Sequence, residues 1–151
     1  GVERRFDIHL NTPQIAYIDD YAHHPNEISS AISSIRNMFP GRKLTAVFQP
    51  HLYTRTRDFA KEFAQSLSLV DELVLLDIYP ARELPIEGVT SKIIFDNVTI
   101  SDKIMIKKEN LMEYLENKKD IDILVTFGAG DIDRLIVPIK EMLEKRMNIK
   151  G

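Results

Sequence analysis

The chain has 151 residues, 44% of them hydrophobic, which predicts one folded domain with a real core rather than a disordered chain. Its formal net charge is −3 and it has no cysteine. These values argue against nucleic acid as a partner and exclude a disulfide scaffold, a thiol nucleophile and a cysteine-ligated zinc site. No apolar run approaches the ~20 residues of a membrane span, so no membrane partner is expected.

The first predicted elements are two strands and a helix. Residues 4–10 and 15–20 have strand patterns, and the turn residues 11–13 between them predict a hairpin. Pro25 suits the first position of a helix, because its missing N–H leaves no hydrogen bond unmade there. Apolar residues then recur at helical spacing, namely Ile28, Ala31, Ile32, Ile35 and Phe39. Residues 40–41, Pro-Gly, end this helix.

The middle of the chain predicts a strand at 44–48, a helix and a second strand at 72–78. The helix is marked by Phe59, Phe63 and Leu67 at four-residue intervals. The second strand is too apolar to be half-exposed, which predicts an interior, parallel position in the sheet. Residues 79–90 then form a long loop with two prolines and a glycine. Loops of this length in compact domains are usually functional or mobile.

The last third predicts a short helix at 91–96, a strand at 103–106, a helix at 109–116 and a strand at 121–127. Asp131 is suited to cap a final helix. That helix carries an apolar stripe of Ile132, Leu135, Ile136, Ile139 and Leu143. Pro138 lies inside the pattern and is predicted to kink the helix or to remove a hydrogen bond.

Alternating strands and helices predict an α/β fold, with a doubly wound, mostly parallel Rossmann-like sheet, helices on both faces and an N-terminal β-hairpin before it. Such folds bind ligands beyond the carboxyl ends of their strands. Four stretches of polar or glycine-rich sequence follow predicted strands, at residues 19–25, 49–57, 79–88 and 128–131. Their convergence at one edge of the sheet predicts a ligand site.

Acids and imidazoles follow the second strand. Asp19 and Asp20 alternate across the strand, so only one of them needs to face a ligand. A carboxylate there can accept hydrogen bonds from a ribose, or it can serve as an ordinary loop or capping group. The adjacent His23 and His24 lack the spacing of a two-histidine metal site, so no metal site is predicted. One of them is expected to face ligand or solvent and the other to cap the helix.

Cations and glycines follow two other strands. His51, Arg55 and Arg57 lie near the predicted start of a helix, where cations are unfavourable unless an anion is present. An anionic partner for at least one arginine is therefore expected, since guanidinium binds carboxylate or phosphate bidentately. The Gly-Ala-Gly of residues 128–130 is only a weak phosphate signal. No P-loop pattern occurs, so any ATP used by the protein has its main phosphate cradle outside this chain.

Five blocks occur in a recognisable order: GVERRF at 1–6, DDYAHHPNEI at 19–28, FQPHLYTRTRD at 48–58, YPARELPIEGV at 79–89 and GAGDI at 128–132. Together they resemble the C-terminal domain of the Mur ligases. The second and third blocks resemble the branch that joins L-alanine to UDP-N-acetylmuramate in peptidoglycan synthesis. The resemblance implies that residues 1–151 are a single third domain of a cytoplasmic enzyme.

In that enzyme an absent N-terminal domain binds the UDP-sugar, and an absent central domain holds most of ATP and Mg²⁺. The resemblance also implies formation of an acyl phosphate that alanine then attacks, and no catalysis by this domain alone. It assigns two sets of residues: for the nucleotide Arg5, Asp20 and His23, and for L-alanine Tyr21, His51, Arg55 and Arg82. Arg5 is expected to reach the ATP phosphates, and Arg55 the alanine carboxylate.

Two positions depart from the family pattern. Leu52 stands where the family commonly has arginine, and Arg82 stands where it commonly has glycine. One hypothesis is that Arg82 replaces the missing guanidinium, and the alternative is that it is a solvated loop charge. Two other functions stay open. The first is a non-catalytic nucleotide- or anion-binding module, and the second is a related ligase that attaches recycled murein peptides to the same sugar.

Overall fold

Six strands form one sheet in the computed structural model of this chain, which describes residues 6–150 and, as far as residue 148, their side chains. The strands are β1 (Asp7–Asn11), β2 (Ala16–Asp20), β3 (Leu44–Phe48), β4 (Glu72–Leu75), β5 (Lys103–Met105) and β6 (Ile123–Phe127). The helices are α1 (Pro25–Met38), α2 (Tyr53–Leu67), α3 (Lys92–Phe95), α4 (Leu111–Asn117) and α5 (Ile136–Lys150). Short 3₁₀ turns cover Lys108–Asn110 and Asp131–Leu135.

The strand order is β1-β2-β6-β3-β4-β5. β1 pairs antiparallel with β2, and every other pairing is parallel. The predicted hairpin is therefore present and forms one edge of the sheet. Strand β6, the last in the chain, lies between β2 and β3. The α/β class and the mostly parallel sheet predicted from the sequence are confirmed.

Helices cover both faces of the sheet, as predicted. One apolar cluster joins α1, α2 and α3 to one face through residues such as Ile28, Phe63 and Ile94. The other cluster joins α4 and α5 to the opposite face through Leu115 and Ile139. These five side chains are at most 1% exposed. Burying each one contributes about 1.5–3 kcal/mol, so both layers stabilise the sheet that carries the site. No helix in the described part of the chain is both long and apolar enough to cross a membrane.

Helix α1 begins as the sequence predicts. Pro25 occupies its first turn, and His24 occupies the N-cap position. Glu27 reaches back so that its Oε1 accepts hydrogen bonds from the backbone N–H groups of His23 and His24, both at 3.0 Å. An acid in the first turn also suits the positive end of the helix dipole. The start of α1 is thereby fixed directly beside the two histidines.

Two predictions about the final helix are wrong. Pro138 does not kink it, because a 3₁₀ turn covers Asp131–Leu135 and α5 begins only at Ile136. Pro138 therefore lies in the first turn, where the missing N–H is harmless. Asp131 does not cap the helix either. Its carboxylate accepts a hydrogen bond from Nε2 of Gln49 at 2.7 Å and is paired with the ammonium of Lys108.

One further prediction needs correction: the strand predicted at 72–78 ends at Leu75, and the chain continues from there into the long loop. The helix that the spacing of Phe59, Phe63 and Leu67 predicts is present as α2. Phe59 is nevertheless 40% exposed, whereas Phe63 and Leu67 are buried, because the backbone at Phe59 leaves helical geometry (φ −123°, ψ 22°) and kinks the helix.

Candidate functional site

The candidate site lies where β2, β3 and β6 end at the carboxyl edge of the sheet. Hydrogen bonds continue past these ends: the N–H of Gly128 donates to the carbonyl of Asp20 at 3.2 Å, and the N–H of Gln49 donates to that of Phe127 at 3.0 Å. The helices that follow β3 and β6 pack on opposite faces of the sheet. Doubly wound folds bind ligands in the crevice opened by such a divergence.

A hydrogen bond joins His51 to Arg55. Nη1 of Arg55 lies 3.0 Å from Nδ1 of His51. Because guanidinium can only donate, Nδ1 accepts, and the proton of the neutral imidazole is on Nε2. The His51 ring also stacks on the ring of Tyr79, with centroids 5.7 Å apart and an interplanar angle of 14°. The imidazole is therefore fixed by the ring of Tyr79, and it fixes the guanidinium in turn.

The residues after β2 meet this pair. The His23 ring lies 6.2 Å from that of His51, 4.7 Å from that of His24 and 5.1 Å from that of Tyr21, between centroids. Nδ1 of His23 is 3.1 Å from the carbonyl oxygen of Tyr21, which can only accept, so this nitrogen donates. The structure thus brings together four predicted site residues: Tyr21, His23, His51 and Arg55.

Burial and the positive charge of Arg55 keep two imidazoles of this cluster neutral. Burial lowers the pKa of His51 below its ordinary value, and Arg55 and His23 lower it further. The pKa of His24 is lowered by the same three causes, with Glu27 opposing them. Because an ordinary histidine protonates near pH 6.5, both are neutral at pH 7. The permanent positive charge of the cluster is the guanidinium of Arg55, so an anionic ligand is attracted there.

The backbone between His51 and α2 is strained. Leu52 has φ 75° and ψ 138°, a region that residues with side chains rarely adopt. Such a conformation costs about 1–3 kcal/mol and persists only where neighbouring structure enforces it. The neighbour here is Tyr79, whose carbonyl accepts from the N–H of Leu52 at 2.9 Å and whose N–H donates to the carbonyl of Pro50 at 2.8 Å.

Asp20 lines a different cleft, between β2 and α1. Its carboxylate accepts hydrogen bonds from the backbone N–H groups of Ala22 at 2.8 Å and of Phe6 at 3.1 Å. The cleft has a volume of about 380 Å³ and is lined by Phe6, Asp20, Asn26, Glu27, Ser30, Ala31 and Ser34. As predicted, only one of the two aspartates faces it, since Asp19 accepts from Oγ1 of Thr126 at 2.7 Å within a buried network.

Neither Arg57 nor Arg82 joins the imidazole cluster, and Arg5 lies outside the described residues. Arg82 is exposed and makes no hydrogen bond or ion pair with any residue between 6 and 150. Arg57 is also exposed and pairs with Asp58 at 2.9 Å. Of the three predicted arginines that the structure describes, Arg55 alone contacts the histidines.

Glu83 is a residue of this site that sequence reasoning missed. Its Oε1 accepts from the backbone N–H groups of Tyr53 at 2.5 Å and Thr54 at 3.1 Å, and its Oε2 accepts from the Thr54 hydroxyl at 2.5 Å. The Thr54 hydroxyl and these N–H groups lower the pKa of Glu83. A signal was available: α2 starts after Leu52, whose side chain cannot cap, so an acceptor from elsewhere was needed.

The glycines after β6 have a packing role. A Cβ on Gly130 would lie 2.6 Å from Cγ of Tyr79 and 2.7 Å from Oε1 of Gln49. Gly128 has φ +151° and packs against the backbone of Gln49. Close packing therefore explains why these two positions are glycine, and a bound phosphate is not needed to explain them. No group of three or more metal-binding side chains occurs in the part of the chain that the structure describes.

Comparisons with known proteins identify relatives of this chain. The chain matches the family model described as "Mur ligase, glutamate ligase domain" over residues 4–130. It is 58% identical over 147 residues to the UDP-N-acetylmuramate–L-alanine ligase of Parabacteroides distasonis, and 55% identical over 147 residues to that of Phocaeicola vulgatus. Each alignment covers 97% of this chain and 32% of the relative. The chain thus spans about a third of the length of the curated relatives it matches.

Solved structures share the fold. The UDP-N-acetylmuramate–alanine ligase of Thermotoga maritima has a TM-score of 0.68 at 26% identity, covering 98% of this chain and 30% of that one. A murein peptide ligase from Psychrobacter arcticus has a TM-score of 0.73 at 19% identity, covering 95% of this chain and 30% of that one. The second similarity bears on the fold alone.

Proposed function

Because this chain belongs to the Mur ligase family, we propose that it is the C-terminal domain of an ATP-dependent ligase joining L-alanine to UDP-N-acetylmuramate in peptidoglycan synthesis. In this proposal the remaining two thirds of the enzyme, an N-terminal and a central domain, bind the UDP-sugar and hold ATP with Mg²⁺. The enzyme would act in the cytoplasm, where ATP and the nucleotide sugar are available.

The observation that carries the proposal is the fixed guanidinium of Arg55. His51 accepts a hydrogen bond from one N–H of Arg55, which leaves the other N–H groups of the guanidinium for a ligand. A two-pronged contact with a carboxylate is the natural way for guanidinium to orient a small zwitterion. In the proposed complex Arg55 binds the carboxylate of L-alanine, while Tyr21 and the stacked His51 form the walls. Neutral imidazoles suit these walls, because they do not repel the ammonium group of the incoming amino acid.

The main requirement that the reaction places on this domain is to orient the amino acid. The muramate carboxylate accepts the terminal phosphoryl group of ATP, and ADP leaves. The deprotonated amine of alanine then attacks the acyl carbon, forming the amide while phosphate departs. Holding the amine in line with that carbon supplies much of the rate that a binding domain can contribute. Asp20, His23 and Arg5 are proposed to contact the nucleotide, with Asp20 on the ribose and Arg5 on the phosphates.

Steady-state kinetics of the complete enzyme test the assignment. Arg55→Met is expected to raise KM for L-alanine about 100-fold, the loss expected for two charge-assisted hydrogen bonds, with KM for ATP nearly unchanged. Arg57→Met is the matched control, because Arg57 is an exposed guanidinium on the same helix. An unchanged KM for alanine in Arg55→Met would refute the proposed site.

Two measurements separate the alternatives. Calorimetric titration of ATP into this 151-residue chain is expected to show negligible binding, whereas a self-contained nucleotide-binding module predicts micromolar binding. Competition between L-alanine and the tripeptide L-alanyl-γ-D-glutamyl-meso-diaminopimelate in the complete enzyme addresses the recycling ligase. Preferential use of the tripeptide would favour that second function.

A further inference from the structure

The turn that connects β3 to α2 is held from outside by one short segment. This segment, residues 79–83, is called the clamp below. At one end the Tyr79 backbone hydrogen-bonds on both sides of His51, to Pro50 and to Leu52. His51 and Tyr79 also form an isolated parallel β-bridge, and their rings stack. The clamp thus enforces the strained backbone of Leu52, directly after the imidazole that fixes Arg55.

At its other end the clamp closes the start of α2. The helix begins at Tyr53, and its N-cap residue, Leu52, makes no side-chain capping bond. Glu83 supplies the missing acceptor to the N–H groups of Tyr53 and Thr54 and to the Thr54 hydroxyl. Arg55 is the next residue of that turn. Its guanidinium therefore projects from a helical turn whose orientation is set by the Glu83 carboxylate.

We propose that Glu83 is a positioning residue that sets the affinity of the site for the amino-acid carboxylate by holding Arg55 in register with His51. This inference rests on the proposed role of Arg55. Without Glu83 the first turn of α2 loses its cap, and Tyr79 alone opposes relaxation of the strain at Leu52 by rotation of that turn. The Arg55–His51 hydrogen bond then loses its geometry, although neither residue has changed.

The charge of Glu83 has a second effect on the same site. A helix N-terminus attracts anions through its free N–H groups and its dipole. Glu83 occupies that position at the start of α2, so an incoming carboxylate does not bind there. It is directed instead to the guanidinium one residue further along. The clamp therefore positions the guanidinium of Arg55 and also prevents a carboxylate ligand from binding at the N-terminus of α2.

The test uses the complete enzyme with Glu83→Ala and Glu83→Gln, and with Glu87→Gln as control. Glu87 is an exposed carboxylate of the same loop, without a hydrogen bond or ion pair to any described residue. Glu83→Ala is expected to raise KM for L-alanine about tenfold, with kcat at saturating alanine and KM for ATP within about twofold. Glu83→Gln keeps one carbonyl acceptor and is expected to raise KM for L-alanine about threefold. The control is expected to match the parent enzyme.

A readout without catalysis accompanies the kinetics. Hydrogen exchange at Tyr53 and Thr54 is expected to accelerate in Glu83→Ala and to stay unchanged in Glu87→Gln. Faster exchange without a selective rise in KM for alanine would overturn the proposal, because the role would then be structural only. Unchanged exchange would overturn it as well. Arg55→Met separates the two ideas: if it raises KM for alanine and Glu83→Ala does not, the clamp inference alone fails. If neither variant does, the proposed function fails too.

Discussion

The imidazoles of His23 and His51 stand nearly perpendicular, at 78°, and their Nδ1 atoms have opposite roles. Nδ1 of His51 accepts from Arg55, whereas Nδ1 of His23 donates to the carbonyl of Tyr21. The two rings therefore carry their protons on different nitrogens when both are neutral. This arrangement orients both rings through hydrogen bonds to protein groups, and it makes the tautomers a direct observable.

The first prediction concerns the pKa of His51. Its imidazole is expected to titrate below the ordinary value of about 6.5, because burial and Arg55 both disfavour its charged form. Arg55→Met is expected to raise that pKa part of the way back, leaving the effect of burial. Histidine-selective NMR titration of this chain measures the change. Arg57→Met is the control and is expected to leave the His51 titration unchanged.

The lowered pKa values of His24 and His51 also predict how stability depends on pH. The unfolded chain binds protons at these residues near pH 6.5, whereas the folded chain resists them until lower pH. Stability is therefore fully present above about pH 7 and falls as the pH drops through 6.5 toward the folded-state values. Urea unfolding at pH 7.5 and pH 5.5 checks this, and Arg55→Met is expected to reduce the difference. A larger difference in that variant would contradict the assigned cause.

The two departures from the family pattern, Leu52 and Arg82, give a third prediction. If Arg82 replaces the guanidinium absent at Leu52, Arg82→Ala in the complete enzyme is expected to raise KM for L-alanine about tenfold. Adding Leu52→Arg is then expected to restore much of the loss. Arg82 makes no hydrogen bond or ion pair within residues 6–150, so folding should not suffer. An unchanged KM in Arg82→Ala would identify Arg82 as a solvated loop charge.

Gly130→Ala is expected to destabilise the chain by about 1–3 kcal/mol, because the new Cβ meets the Tyr79 ring and the Gln49 side chain. Gly41→Ala separates this clash from backbone strain. Gly41 has φ +77° and no atom within 4 Å of an added Cβ, so its cost is strain alone, about 1 kcal/mol. Chemical denaturation compares the two variants. An equal or smaller loss in Gly130→Ala would contradict the tight packing.

A charge network that affects stability lies at the amino ends of the parallel strands, opposite the candidate site. The Glu72 side chain is 5% exposed, pairs with Lys118 at 2.5 Å and Lys43 at 3.2 Å, and accepts from the Thr45 hydroxyl. Glu72→Gln is expected to cost about 2 kcal/mol, less than a fully buried pair because Asp120 still balances both lysines. Asp96→Asn, which removes an exposed pair with Lys92, is expected to change stability by about 0.5 kcal/mol or less.

Residue spacing predicts most of this fold. Pro25 identifies the start of α1 because only the first helical turn tolerates its missing N–H. The apolar character of β4 and β6 identifies interior strands because polar side chains cannot be solvated there. The proximity of His23 and His51 follows from the predicted sheet, because each residue comes after a parallel strand and parallel strands end at a common edge. The two residues are brought together by topology rather than by proximity in the chain.

Other features depend on where loops travel, which spacing does not reveal. Asp131 is a good capping residue, but Gln49 and Lys108 lie within reach and occupy its carboxylate instead. Glu83 serves as the cap of a helix 30 residues away because the loop after β4 folds back over it. Phe59 continues the apolar period of α2, yet a local kink turns it outward. For Asp131 and Glu83 the outcome is decided by tertiary contacts that compete with a local preference.

The central place of β6 has a consequence for how the site forms. Strands β2 and β3 carry its two halves, yet neither pairs with the other, and β6 pairs with both. Thr126 of β6 lies 107 residues after its partner Asp19. During synthesis the edges of β2 and β3 that pair with β6 therefore stay unpaired until β6 has emerged, although β1 and β4 can pair with the other edges earlier. Such late, long-range pairing slows folding and exposes strand edges to other chains. A chain that stalls before residue 123 would carry all seven predicted site residues and still have no site.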